Sequence, residues 1–138
     1  IVHICGNGNL DHNFQDENYR QFEYLNEQFF DILNLAHIVI ARAGANSLYE
    51  IMLAKKPAII IPLSEKVSRG DQIVNARFYE KYSCIKILNE EDLSSKSLIN
   101  AVKFVEENYA SYQQNIAKLN LADATSVIYE SIEEDCNG

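Results

Sequence analysis

The chain has no tryptophan, only three cysteines in 138 residues and no long hydrophobic run. Its longest apolar stretch, residues 57–63, is far shorter than the ~20 residues that a transmembrane helix needs. Cys5, Cys84 and Cys136 are odd in number and have no CxxC spacing, which favours neither a disulfide framework nor a zinc site. The sequence therefore predicts a chain that does not cross a membrane and that lies in a reducing cytoplasm.

Positive charge is also scarce, because 12 Lys and Arg stand against 20 Asp and Glu, for a net charge of −8. This balance argues against nucleic acid as a partner and against purely electrostatic attachment to anionic lipid. Length and composition are those of one folded domain without an evident linker or boundary. Residues 1–5 lack an initiator methionine and a charged leader, so we expect that the chain was cut from a longer one.

Strand and helix patterns alternate from the first residue, which predicts an α/β fold around a parallel sheet. The predicted strands are residues 1–5, 20–25, 37–41, 58–62 and 84–88. Of these, 37–41 and 58–62 are continuous apolar runs, typical of strands that are covered on both faces.

Apolar residues at helical spacing predict helices between and after the strands, with everything from Glu90 onward helical. The predicted apolar stripes are Phe29, Phe30, Ile32, Leu33 and Ala36; Leu48, Ile51, Met52 and Leu53; Val74, Phe78 and Tyr82; Leu98, Val102 and Val105; Ile116 and Leu119; and Val127, Ile128 and Ile132.

Ligands of parallel sheets bind outside the carboxyl ends of the strands, and the first loop at such a position is residues 41–50. Gly44 there permits a close approach, and the helix that follows favours an anion such as a diphosphate at its N-terminus. Glu50, about one turn inside the helix, could accept both hydroxyls of a ribose. Ser47 and Glu50 also fit a capping box, which spacing alone favours.

The second such loop is residues 62–72, again after a buried strand. Gln72 and Asn75 are three residues apart and share a helix face, with Asp71 at the helix start. Neutral amides on one face suit sugar hydroxyls, which both donate and accept hydrogen bonds. A helix cap on a solvated face needs no ligand, and spacing alone favours that interpretation.

Other chemical motifs are weak. The glycines of residues 6–9 lack the spacings of phosphate-binding loops. His3, His12 and His37 pair with no nucleophile at a known spacing. The acidic run Glu90–Asp92 is typical of a helix start and its cap. The sequence predicts no metal site and no catalytic residue.

Three segments together resemble one known family. They are IVHICGNGNLD, AHIVIARAGANSLYEIMLAKKPAIIIPLS and SRGDQIVNARFYEKYS. In order and spacing they are similar to the C-terminal domain of glycosyltransferase family 28, in particular of the MurG family of bacterial N-acetylglucosaminyltransferases, and LADATSVIYESI is close to the last helix of that family. The resemblance covers nearly the whole chain. It implies a Rossmann-like parallel sheet with a helical C-terminal tail, the donor-binding half of a GT-B glycosyltransferase.

The resemblance also implies an activity. Members transfer GlcNAc from UDP-GlcNAc to lipid I, with inversion and without a metal or other cofactor, to form lipid II in peptidoglycan synthesis. Their N-terminal domain binds the acceptor and contacts the cytoplasmic face of the membrane, and their C-terminal domain opens with a strand and a glycine-rich phosphate loop. Neither part precedes Ile1, so we expect residues 1–138 to be a partial donor domain that is inactive alone.

Two alternatives stay open. One is the donor half of a related family 28 lipid glycosyltransferase with another acceptor. The other is a non-catalytic donor subunit that needs a partner chain.

The resemblance assigns donor contacts by position. Glu50 would hold the ribose hydroxyls. The resemblance thus favours the ribose contact over the capping box, although one carboxylate could serve both purposes. The backbone N–H of Ala45 and the side chains of Gln72 and Asn75 would hold hydroxyls of the GlcNAc ring.

The remaining matched positions are less complete. Leu25, with Tyr24 beside it, would bind the uracil edge through its backbone, and Gly44 would permit close approach of the donor. Asp71 stands where some members have glutamine. Arg42 belongs to the same motif as Gly44 and has no role that the resemblance assigns.

Overall fold

The computed structural model of this chain describes residues 1–65, 67, 68, 70–119 and 121. In chain order the elements are β1 (Val2–Ile4), β2 (Arg20–Phe22), α1 (Phe29–Leu35), β3 (Val39–Ala41), α2 (Ala45–Leu53), β4 (Ala58–Ile60), α3 (Asp71–Lys81), β5 (Ile85–Ile87), a 3-10 turn (Glu90–Asp92), α4 (Ser95–Glu107) and α5 (Tyr109–Ala117). All five strands pair in parallel, which confirms the α/β prediction. The predicted last helix, at residues 127–132, and Cys136 lie outside the described residues.

The chain divides into two compact units, Ile1–Leu35 and a second that begins at Ala36. The single domain that the sequence indicates stays a prediction. In the first unit β1 pairs with β2, with Val2 opposite Arg20 and Ile4 opposite Phe22. A two-stranded sheet with one short helix has little to bury, and Leu33 is the core residue of this unit.

The second unit contains a three-stranded sheet in the order β3-β4-β5. Its central strand, β4, is fully buried, as the apolar run of residues 58–62 predicted. Ile59 packs against Ala101 and Val105 of α4 and against Tyr112 of α5. The core of this unit therefore forms around β4, and its strand ends are fixed in place by that packing.

Several predicted core positions are exposed instead. Ile40, on the edge strand β3, and Leu53, at the end of α2, are each 48% exposed. The stripe of Val74, Phe78 and Tyr82 on α3 also faces outward. The helix was predicted correctly, but its buried face was wrong.

The buried side of α3 lies at Ala76, about 160° to 200° around the helix from Val74 and Phe78. Gln72 lies about 40° from Ala76 around the helix and Asn75 lies at the margin of that side, about 100° from Ala76, and both are partly buried. Hydrogen bonds of these two amides, described below, account for the orientation.

The two described cysteines are free. Burial raises the pKa of the Cys84 thiol to about 11, so this cysteine is held as an unreactive apolar side chain. No described helix combines the length and the apolar character that a membrane span requires.

Candidate functional site

The carboxyl ends of β3, β4 and β5 lie side by side, because the three strands are parallel. The pairing continues one residue beyond the strands. Ile61 N donates to Ala41 O at 2.9 Å, and Leu88 N donates to Ile60 O at 3.0 Å. The loops that follow the three strands therefore start at one edge of the sheet, which is where parallel sheets bind ligands.

The loop after β3 leads directly into α2. Gly44 is the N-cap residue, with φ −63° and ψ 137°, and makes no side-chain cap. Leu48 N donates to Gly44 O at 2.9 Å, which is the first hydrogen bond of the helix. The N–H groups of Ala45, Asn46 and Ser47 come before it and donate to no acceptor among the described residues.

The capping box at Ser47 and Glu50, which spacing alone favoured, is not formed. Ser47 is the third residue of α2 rather than its N-cap, because the helix begins three residues earlier than that box requires. A side chain at the third helical position does not cap the helix start as an N-cap residue does. The carboxylate of Glu50 is left without this local role.

Glu50 is the sixth residue of α2 and is partly buried. It lies opposite the face of α2 that buries Leu48, Ile51 and Met52. Its position along the axis is about 7.5 Å from Ala45. Within the part of the chain that the structure describes, its carboxylate has no hydrogen bond or ion pair.

The side chains of Gln72 and Asn75 join the first loop to the second. Gln72 Oε1 accepts from Ala43 N at 3.3 Å and from Leu63 N at 3.1 Å. Asn75 Nδ2 donates to Ala43 O at 3.3 Å. Both polar groups around Ala43 are thus bound by α3, and Ala43 itself is fully buried.

These contacts correct the interpretation of Gln72 and Asn75 as a helix cap on a solvated face. The N-cap of α3 is Gly70, whose φ of +85° is strained for any other residue, and no side chain caps the helix. Gln72 Nε2 and Asn75 Oδ1 make no hydrogen bond with the described residues. One half of each amide is anchored, and the other half remains available to a ligand.

A second network was not predicted. Arg42 Nη2 lies 2.8 Å from Glu90 Oε1, and Arg42 Nη1 donates to Ile61 O at 3.2 Å. Ser64 N donates to Glu90 Oε2 at 3.4 Å. The hydrogen bonds from Arg42 and Ser64 lower the pKa of Glu90 below its ordinary value. One signal in the sequence could have indicated this ion pair: Arg42 directly follows β3, and the oppositely charged Glu90 lies three residues after β5.

The cap of α4 is also displaced from its predicted place. Glu90–Asp92 form a separate 3-10 turn, whereas Ser94 accepts from Ser97 N at 3.1 Å and caps α4. Glu90 therefore does not cap α4, and its carboxylate forms the ion pair with Arg42 instead.

The other predicted contact residues lie as follows. Asp71 is the exposed first residue of α3, and Ala45 is the exposed first residue of α2. Leu25 belongs to the first unit, in the segment that follows β2 in the chain, and is partly buried, whereas its neighbour Tyr24 is exposed.

Of the histidines, His3 and His37 contact tyrosine side chains, and His12 is exposed. His3 Nδ1 lies 2.6 Å from the Tyr19 hydroxyl, and the His37 ring stacks on Tyr109 at 4.1 Å. In residues 1–119, positions 66 and 69 aside, no three of His, Cys, Asp and Glu are grouped so that they could hold a metal ion.

Comparison with known proteins gives one family and a consistent set of relatives. Residues 1–130 match the glycosyltransferase family 28 C-terminal domain. Over 135 residues, 97% of this chain, the sequence is 44% identical to the UDP-N-acetylglucosamine--N-acetylmuramyl-(pentapeptide) pyrophosphoryl-undecaprenol N-acetylglucosamine transferases of Geobacillus kaustophilus and Clostridium botulinum. Identity is the same to a Bacillus cereus protein with that name and the number 2. The chain spans 38% of the length of each of these relatives.

Proposed function

The chain belongs to the glycosyltransferase family 28 C-terminal domain family, and on that basis we propose that it binds the nucleotide-sugar donor of a GlcNAc transferase. The donor would be UDP-GlcNAc and the acceptor lipid I, the undecaprenyl-pyrophosphoryl muramyl-pentapeptide that the names of its relatives describe, giving lipid II. The chain is then a partial C-terminal domain. Acceptor binding and contact with the cytoplasmic face of the membrane belong to an N-terminal domain of the whole enzyme.

The observation on which this proposal depends is the junction at Ala43. Gln72 and Asn75 bind the backbone directly before α2, so the start of α3 and the start of α2 form one surface. A ligand with a sugar at one end and a phosphate at the other has complementary groups on both helices. The donor of a glycosyl transfer is such a molecule.

The start of α2 suits the diphosphate. Three N–H groups, of Ala45, Asn46 and Ser47, are unpaired with described residues, and the helix dipole favours an anion there. Nothing described in the chain requires glycine at Gly44, since its φ is negative and an added Cβ would meet only Ser47 Oγ, at 3.7 Å. The open space beside Gly44 leaves room for close approach of the nucleotide-sugar to the start of α2.

The sugar end suits the two amides. Gln72 Nε2 donates to a hydroxyl oxygen and Asn75 Oδ1 accepts from a hydroxyl, while the opposite halves of both amides are fixed by the backbone. This anchoring orients the binding groups before the donor arrives and reduces the entropy that binding loses. In this proposal Ala45 N–H binds a hydroxyl of the GlcNAc ring, which leaves the N–H groups of Asn46 and Ser47 for the diphosphate. Asp71, at the start of α3, is a further contact to the sugar.

Two further nucleotide contacts are proposed, one from Glu50 of the second unit and one from Leu25 of the first unit, each by itself. The unpaired carboxylate of Glu50 accepts from both ribose hydroxyls, and the backbone of Leu25 binds uracil. In the reaction the acceptor hydroxyl attacks the anomeric carbon with inversion as UDP leaves. The helix N-terminus and backbone N–H groups stabilise the charge that develops on the diphosphate. No residue of this chain is proposed as the general base.

The test is a titration of the whole enzyme with UDP-GlcNAc. We expect Glu50→Gln to weaken binding of UDP-GlcNAc and of UDP by about ten- to a hundredfold, because a charged acceptor is lost. Glu106→Gln makes the same change on the exposed surface of α4 and serves as the matched control. Unchanged affinity in Glu50→Gln would contradict the ribose contact.

Donor identity is tested in the same assay with UDP-glucose and UDP-galactose. Preference for UDP-GlcNAc supports the proposal. Preference for either of the other two would instead favour a related lipid glycosyltransferase with the same donor fold.

A further inference from the structure

Arg42 takes part in none of the donor contacts proposed above, although it lies two residues before the N-cap of α2. Its guanidinium group spans the ends of three strands. Arg42 follows β3, its Nη1 donates to Ile61 O directly after β4, and its Nη2 binds Glu90 after β5. One side chain thus connects the starts of the three loops.

Glu90 extends this connection to the second loop. Its Oε2 accepts from Ser64 N at 3.4 Å, and the neighbouring Leu63 N donates to Gln72 Oε1 at 3.1 Å. Two successive amides of the loop are therefore held by two different side chains. One of these is Glu90, and the other is the residue that carries the proposed sugar contact.

We propose that Arg42 and Glu90 are positioning residues, which hold the loop after β4 so that Gln72 meets the sugar of the donor. This inference rests on the proposed function of the site. Neither residue touches the donor. Glu90 of the pair accepts a hydrogen bond from Ser64 N, and Ser64 follows Leu63 in the chain. Leu63 N in turn donates to Gln72 Oε1, the atom through which the Gln72 side chain is anchored.

The exposure of the pair separates this role from simple stabilisation. The side chains of Arg42 and Glu90 are 48% and 33% exposed. Ion pairs of this exposure contribute little to folding, because water screens them. Loss of the pair is therefore expected to leave the melting temperature nearly unchanged while it changes the loop and the affinity for the donor.

A direct contact of Arg42 with the donor diphosphate makes the opposite prediction for one variant. Glu90→Gln removes the partner that neutralises Arg42. If Arg42 bound phosphate, this variant would bind UDP more tightly. If the pair positions the loop, the variant binds UDP-GlcNAc more weakly and UDP alone is less affected, because Gln72 contacts the sugar.

The experiment compares Arg42→Gln, Glu90→Gln, the double variant and the conservative Arg42→Lys in the whole enzyme, with Glu106→Gln as the control. The donor KM and kcat are measured, together with hydrogen exchange of the donor-free protein in the peptide that covers Leu63 and Ser64. We expect each single variant to raise the donor KM about three- to tenfold, and the double variant to add little, since the two residues act as a unit. Arg42→Lys gives an intermediate effect.

Exchange in the Leu63–Ser64 peptide is expected to accelerate in Arg42→Gln and Glu90→Gln, while a peptide from β4 is unchanged. Unchanged loop exchange, additive effects on KM, or tighter UDP binding by Glu90→Gln would each overturn the positioning role. Failure of the wild-type enzyme to bind UDP-GlcNAc would overturn the proposed function and this inference together. Normal donor binding by the wild type with unaltered loop exchange in the variants would overturn the inference alone.

Discussion

The starts of α2 and α3 differ in how their polar groups are used. At α2, three backbone N–H groups and the Glu50 carboxylate are without described partners. At α3, Gln72 and Asn75 are bound to the backbone of Ala43 and Leu63. Both helices begin after a glycine and lack a side-chain cap. The first three N–H groups of α3 are likewise without described partners, so the difference lies in the side chains. Those of α3 join the two loops, whereas Glu50 of α2 is left for a ligand.

The largest expected effect on stability comes from removing the hydrogen bonds that Gln72 accepts at the start of α3. Gln72→Leu keeps a side chain of similar size but leaves Ala43 N and Leu63 N without their acceptor. Loss of an acceptor for partly buried donors costs about 1–3 kcal/mol of the free energy of unfolding. Denaturant unfolding of the variant measures this loss. An unaltered free energy of unfolding would show that these hydrogen bonds do not hold the loops.

A smaller effect is expected at a true cap. Ser94→Ala removes the side chain that caps α4 and is expected to lower the free energy of unfolding by about 1 kcal/mol. Ser47→Ala is the matched control in α2, where serine is an ordinary helical residue, and is expected to leave stability unchanged or slightly higher. Equal losses in the two variants would restore the capping role of Ser47.

A still smaller effect on stability is expected at Glu50 of α2. Glu50→Gln removes a charge that has no described partner, so the free energy of unfolding is expected to change by less than about 0.5 kcal/mol. Thermal unfolding without and with UDP measures both properties of this variant. Stabilisation by UDP is expected to fall although the unliganded protein is as stable as before. A large loss of stability without ligand would show that Glu50 is structural.

The smallest effect is a pH dependence at the Arg42–Glu90 pair. The pKa of Glu90 is lowered from its ordinary 4.5, so the pair contributes fully above that value and its contribution is lost as pH falls through the lowered pKa of the folded protein. Stability measured from pH 7 downward is expected to fall slightly more steeply in the wild type than in Glu90→Gln below pH 4.5. Parallel curves would show that Arg42 does not stabilise the charged carboxylate.

Much of the fold could be predicted from the sequence, because strand β4 and the helices have strong local patterns. The buried face of α3 could not, because Val74, Phe78 and Tyr82 have the correct spacing for a core stripe. The orientation is instead set by two hydrogen bonds with Ala43, some 30 residues earlier, in which Gln72 accepts from its N–H and Asn75 donates to its C=O. Periodicity indicates that a helix has an apolar side, but not which side the backbone of another segment will bind.

The candidate site shows the same limit. The loops that contain Gly44, Glu50, Gln72 and Asn75 were found from their positions after strands. The ion pair of Arg42 and Glu90 was not found, since 48 residues separate its members. The helix start directly after Gly44 was predicted correctly, but the spacing of Ser47 and Glu50 also favoured a capping box that the structure does not contain. A local rule cannot exclude a helix that begins earlier.

Under the proposed function, the backbone around Ala43 has a consequence for engineering the choice of sugar. Its N–H and C=O groups are both bound by α3, so a shift of one loop would move the other, and the proposed phosphate and hexose contacts would be disturbed together. Redesign for a different hexose therefore has to leave Gln72 Oε1 and Asn75 Nδ2 in place. The atoms open to variation are Gln72 Nε2, Asn75 Oδ1 and whatever side chain is placed at position 71.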